Sequence, residues 1–390
     1  MSGGRPERVS WAEIERFLRA VARVHLRDVD VETVLRFQVK QVPWDSVLAL
    51  AEMEGITGFL YRHRHSFSAC APEAILSELA FRCEAIRTHT AGLMEEVDRI
   101  AAHLEHAGMT VLALQGLSLL PLYDDMCLRA LGDVDLLVEV DQKVDFIRLL
   151  VECGFAPAAG HYPELLRKEN LCIDIHTHIL DRLHCLQALF PTQFVRVLRQ
   201  RSAPLHGRCI RVADPIDNLL ALCSHALKHG YSRLIWLTDL HESLLALETT
   251  TPKRWDEICV RARAWRQEKP LLYALLLLES VFGLAVPAAV KKTLGLARLG
   301  CVEKYMLRLR ARGFRSPYLP HVLYMHMTDG VTAKADFLKE ALYPEAATMS
   351  QVFQDRHWKR GFAGYLRRLI STGVQAAADL KRAVGCRPSA

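Results

Sequence analysis

No two of the eleven cysteines form a CxxC pair. An odd, unpatterned set in a chain of this length reads as reduced core thiols in a reducing compartment, not as a disulfide framework or a zinc cage. Long apolar runs are also missing. The longest, Leu271 to Val281, contains Glu279 and is shorter than the ~20 residues that span a bilayer. The first residues, MSGGRPERVSWAEIERFLRA, lack the apolar stretch of a secretory signal, so a cytoplasmic protein with no transmembrane segment is expected. Charge of either sign is not in great excess. The net +6 over 390 residues does not by itself imply nucleic-acid binding. There is no low-complexity segment and no internal repeat. Apolar residues make up 51% and charged residues 24%, the balance of a folded chain of two or three domains.

Most of the chain has helical period. Ser10 and Glu13 have the spacing of a capping box ahead of WAEIERFLRAVARVHL. PWDSVLALAEMEGITGFLYRHR reads as one helix with Pro43 near its start. A long helix is expected from about Pro72 to His106, ended by Gly108. The character changes at Met109. MTVLALQG and LGDVDLLVEV read as strands, DQKVDFIRLLVECGF as an amphipathic helix ending before Gly154, and LCIDIHTHIL as a third strand. From about Pro191 the text is helical again, with Asp214-Pro215 as one helix start.

Asp133 and Asp135 lie one residue apart in an apolar strand, so both point to one face. Paired carboxylates repel, and burial worsens the repulsion. A solvated edge strand would tolerate them, and so would a shared divalent cation. Three neighbours favour the cation. Upstream, Gln115-Gly116-Leu117-Ser118 forms a strand-to-helix turn in which Gly116 would let backbone N–H groups approach a phosphate. Asp174 stands on a later apolar strand as a third carboxylate. Arg129 precedes the pair and is placed to meet phosphate or the acids.

These features resemble the DNA polymerase β-like nucleotidyltransferases, and more closely a group of uncharacterised bacterial nucleotidyltransferases. In that group a long helix leads to hhLKG, then to LYP…R…DIDLLV, then to a helix ending GF or GY, then to a strand ending acid-h-His. Here these read LALQG, LYDDMCLRALGDVDLLV, LLVECGF and IDIH, and HALKHGYSRLIWLTDLH is similar to the group's later helix pair. The resemblance covers about residues 40 to 250. It implies Asp133, Asp135 and Asp174 as metal ligands for Mg²⁺ or Mn²⁺, with Asp174 as an alternative base for the attacking hydroxyl. It places Gly116 and Ser118 in a phosphate-binding turn. The reaction implied is attack of an acceptor hydroxyl on the α-phosphate of an NTP such as ATP, with release of pyrophosphate. Gln115 stands where the group usually has lysine, and a neutral amide binds phosphate less strongly than a cation.

The fold expected is α+β and predominantly helical, with a small mixed-sheet core flanked by helical regions. Its parts are a helical region at 1–107, a nucleotidyltransferase core at 108–190, a helical domain completing the cleft at 191–300, and a basic helical region at 301–390. His176 and His178 share a face with Asp174 on an extended strand, either as a His-x-His metal pair or with His176 orienting Asp174. His225 and His229 lie on one helix face, lining the cleft or forming a core-edge pair. The basic stretches Lys291–Arg315 and Arg356–Arg368 are expected to be solvated helix faces, the alternatives being contacts with nucleic acid, an anionic lipid surface or an acidic peptide. In the second stretch Trp358, Phe362 and Tyr365 suit a membrane surface. The acceptor is a small molecule, a peptide or a protein. The competing reading is a weakened, nucleotide-binding accessory protein of a biosynthetic cluster.

Overall fold

The computed structural model describes residues 9–38, 41–159, 161–180, 190–191, 193–250, 254–328 and 330–342. The basic tail at Arg356–Arg368 lies outside them. The fold is α+β and predominantly helical, built on one seven-stranded mixed sheet. Its strands are β1 (Val111–Ala113), β2 (Val134–Leu137), β3 (Ala156–Pro157), β4 (Leu165–Lys168), β5 (Leu171–His176), β6 (Ala203–His206) and β7 (Ile210–Val212). They lie in the order β3-β4-β5-β2-β1-β7-β6. The pairs β2/β5 and β1/β7 are parallel and the other pairs antiparallel.

The three strands expected from apolar runs are β1, β2 and β5. The other four are short, and two of them carry proline. β6 and β7 follow residue 190, so the sheet extends beyond the 108–190 segment expected to contain it. Pro157 and Pro204 sit in β3 and β6, the two edges of the sheet, where a missing N–H breaks no interior ladder and blunts pairing with another chain.

Period two divides the central strands between two cores. Val134, Leu136, Ile173 and Ile175 face a core made with Val97, Ile100 and Leu104 of helix Glu73–Ala107 and with Phe146 and Leu150 of helix Lys143–Glu152. Leu112 and Leu137 join a larger core. There the N-terminal helices (Phe17, Trp44, Phe59) pack with helices from Pro215 onward (Leu219, Leu237, Leu271). The N-terminal and later helical segments thus share one interior.

Local signals explain the helix ends. Ser10 Oγ accepts from the Glu13 nitrogen at 3.3 Å, and the Glu13 carboxylate accepts from the Ser10 nitrogen at 2.9 Å, closing the capping box before helix Trp11–Val21. The single helix expected over PWDSVLALAEMEGITGFLYRHR is two, Trp44–Glu54 and Thr57–Arg62. Gly55, at φ 74, ends the first in a left-handed conformation that L side chains resist. The basic stretch Lys291–Arg315 is partly spent on internal contacts. Lys291 donates to Glu279 at 2.6 Å, Arg310 Nε to the Tyr231 carbonyl at 2.8 Å, and Arg315 pairs with Glu54. No helix among the described residues is long and apolar enough to cross a membrane, and the nine described cysteines are free thiols.

Candidate active site

The parallel register sets Asp135 of β2 beside Asp174 of β5, and Leu137 beside His176. Neighbours in register share a face, so both acids and the histidine emerge on the side of the larger core, where a cleft of about 360 Å³ opens. All three residues are buried. His176 Nε2 lies 2.8 Å from Asp135 Oδ1 and 3.5 Å from Asp174 Oδ2. One ligand atom from each of the three falls within a 4.8 Å group. Gln115 Nε2 donates to Asp135 Oδ1 at 2.9 Å, and the Tyr162 hydroxyl donates to Asp174 Oδ2 at 2.5 Å.

Asp133 comes one residue before β2 and lines the same cleft, yet stands outside that tight group. Desolvation by the surrounding protein pushes its carboxyl up to about 7, and the charges of Asp135 and Asp174 add to the rise. The three acids foreseen in the sequence therefore share one cleft, but His176 and not Asp133 completes the closest donor set. His178 departs from expectation. β5 ends at His176, and the chain turns so that the His178 ring packs edge-on against Phe190, with centroids 5.1 Å apart. No His-x-His pair forms on the strand.

The turn after β1 is built differently from a phosphate loop on a long helix. Gln115–Leu119 is a five-residue helix, and Gln115 itself has φ 47. Gly116 leaves room for two neighbouring side chains. A Cβ there would lie 2.6 Å from Leu131 Cδ2 and 3.4 Å from the Arg129 guanidinium. Ser118 is buried away from the cleft lining. Its Oγ donates to the Gln115 carbonyl at 2.8 Å and lies 3.2 Å from Asn218 Oδ1, on helix Pro215–Lys228. Arg129 lines the cleft, but its Nε donates to Asp239 at 2.9 Å and its Nη1 to the Ala130 carbonyl at 2.8 Å. Tyr123 donates to the same Asp239 at 2.7 Å. Burial raises the Asp239 carboxyl and Arg129 opposes the rise.

The other wall of the cleft is helical. It is formed by the end of helix Pro215–Lys228 and the start of helix Leu234–Thr250, and presents His225, Lys228, His229, Arg233 and Trp236. The rings of His225 and His229 lie 5.5 and 4.9 Å from that of Trp236. The histidine pair lines the cleft, one of its two expected places. Tyr162, Lys228, Arg233 and Trp236 were not foreseen as cleft residues. A tyrosine in the loop before β4 carries no local signal, and the basic pair flanks the Gly230 turn like any helix-end cations.

Residues 40–283, well over half of the chain, match the family described as an uncharacterised nucleotidyltransferase. The chain belongs to that family. No curated protein and no solved structure matches it. For a nucleotidyltransferase, the test is whether the cleft residues fit a divalent ion. Two carboxylates and an imidazole, buried and clustered within 4.8 Å, are a donor set that fits one.

Proposed function

We propose that the cleft transfers a nucleoside monophosphate from an NTP, ATP being the first candidate, to a hydroxyl on a small-molecule, peptide or protein acceptor. The acceptor oxygen forms a bond to the α-phosphorus, the α–β bridge breaks, and pyrophosphate leaves. The observation that carries this reading is the register pairing of Asp135 with Asp174, with His176 in reach of both, in a member of a nucleotidyltransferase family. Asp135, Asp174 and His176 would hold a divalent ion, Mg²⁺ or Mn²⁺, with Asp133 as a further carboxylate at the cleft. When bound, such an ion neutralises charge on the phosphates and orients them. Gln115 and Tyr162 fix the orientation of the two aspartates through their hydrogen bonds. Asp174 is placed to accept the acceptor's proton if it is not fully engaged by the ion. Gly116 and Arg129 form the floor on which phosphate would rest. The free thiols suit a cytoplasmic setting, and a place in a biosynthetic cluster suits an enzyme that tags an acceptor.

The test is pyrophosphate release with each NTP and Mg²⁺ or Mn²⁺ across a panel of hydroxyl acceptors, with intact-mass readout of the acceptor and of the chain. Asp135→Asn should lower release about a hundredfold or more. Release that persists undiminished in Asp135→Asn would end the reading. One observation favours a second reading, a nucleotide-binding accessory protein: Gln115, at the position where the resembled group usually has lysine, is a neutral amide, and it is turned onto Asp135. NTP binding with no mass shift on any acceptor would support it.

A further inference from the structure

We propose that Lys228 and Arg233 hold the polyphosphate of the nucleotide and carry the charge that Gln115 lacks. This rests on the nucleotide-transfer reading only for the identity of the ligand. On the sheet wall the cation that lines the cleft is Arg129. Gln115 is neutral and donates to Asp135 at 2.9 Å. Arg129 is matched by the buried Asp239. Among the described cleft residues, the other Lys and Arg are Lys228 and Arg233, on the helical wall at either side of the turn at Gly230.

Arg233 is seated, not waving. Its Nε donates to the Met53 carbonyl at 3.1 Å, and its guanidinium lies over Gly55, where a Cβ would come within 2.8 Å of Nη2. The glycine that ends helix Trp44–Glu54 thus also makes room for this cation. A guanidinium held by Nε keeps its fork for two phosphate oxygens, and the lysine adds a point charge. Burial lowers the proton affinity of His225, and the nearby charges of His229, Lys228 and Arg129 lower it further. Burial and Arg129 act against the charge of Arg233, while Asp239 and Asp133 favour it. Carboxylates on one wall and cations on the other complement a metal–polyphosphate, whose metal is positive and whose oxygens are negative.

The experiment is calorimetric titration of the full chain with inorganic tripolyphosphate in Mg²⁺, and with ATP in Mg²⁺, with no acceptor present. Lys228→Gln and Arg233→Gln should each weaken tripolyphosphate binding about tenfold to a hundredfold, as loss of a charge-assisted phosphate contact does. Lys228→Arg should retain most of it, and Arg233→Lys, which keeps the charge and loses the fork, should bind between wild type and Arg233→Gln. Unchanged affinity in both glutamine variants overturns the proposal, as does failure of the wild-type chain to bind tripolyphosphate. If Arg233→Lys binds as weakly as Arg233→Gln, the seat on Met53 and not the charge is what matters, and the role given to Arg233 falls. The two readings fail separately. Binding that the variants lose, with no pyrophosphate release on any acceptor, keeps this inference and removes the transfer reaction. Pyrophosphate release with an unchanged KM for NTP in both variants does the reverse.

Discussion

Asp135 and Asp174 are register partners on the parallel strands β2 and β5, and the His176 imidazole reaches both, 2.8 Å from one and 3.5 Å from the other. A parallel pair with no offset brings together two acids that are far apart in sequence. The two-residue period then puts His176 on the same face, one pleat further along.

The imidazole makes the choice of metal testable. Mg²⁺ is bound through oxygen, whereas imidazole suits softer divalent ions. Mn²⁺ should therefore bind more tightly than Mg²⁺, measured by the loss of the free Mn²⁺ electron-spin signal and by competition. His176→Ala should weaken Mn²⁺ by at least about tenfold and narrow the gap to Mg²⁺. Equal losses for both ions would show that His176 only orients the aspartates.

Asp239 is a buried counter-charge, and its removal should be costly. It accepts from Arg129 and from Tyr123, and its side chain is 2% exposed. Asp239→Ala strands a guanidinium and a phenol in the interior. Breaking such a pair costs about 3–5 kcal/mol. The loss should appear as a lower urea midpoint. Removing both charged partners, in Asp239→Leu with Arg129→Met, should be less damaging than Asp239→Ala alone, because no charge is left unpaired.

Gly116→Ala separates packing from phosphate contact. The added Cβ would press on Leu131 Cδ2 at 2.6 Å, the far end of a buried side chain. Overpacking of this kind costs about 1–3 kcal/mol. Shortening the neighbour, in Gly116→Ala with Leu131→Val, should restore part of that stability. If the double variant regains stability but still binds tripolyphosphate poorly, the glycine also matters to the ligand. If both return together, its role is room for Leu131 and Arg129.

The acids were legible in the sequence because an apolar strand has few reasons to hold Asp-x-Asp, and because Asp174 lies in a strand of the same kind. Their partners were not. Tyr162 sits in a loop that only the hairpin of β4 and β5 returns to Asp174. Asp239 lies on a helix whose packing decides that it neutralises Arg129. Ser118 has the right spacing for a phosphate turn, but Asn218 of another helix lies beside its hydroxyl. The strands β6 and β7 escaped notice because four and three residues are too few to show an alternation, and Pro204 interrupts the first. What the pattern conveyed was which face is chemical. What it left out depends on contacts between segments distant in the chain.

Acid should expose the pairing of Arg87 with Asp125, which lies apart from the cleft. Arg87 Nε and Nη2 donate to the two oxygens of Asp125 at 2.9 and 2.7 Å, and Asp125 also caps Cys127 through its nitrogen at 2.9 Å. The guanidinium holds the Asp125 carboxyl at about 2, below the usual carboxylate range near ~3.9. The unfolded chain therefore binds the proton more readily than the folded one, so this pairing stabilises above about pH 4 and its contribution fades as pH falls through 2. The Asp125 side chain is 34% exposed, so solvent screening limits the gain to about 1 kcal/mol. Asp125→Asn keeps an oxygen to cap Cys127 while removing the charge. The difference in urea midpoint between wild type and Asp125→Asn should be present at pH 6 and close as pH approaches 2. A gap of constant size across that range would assign the effect to the cap and not to the ion pair.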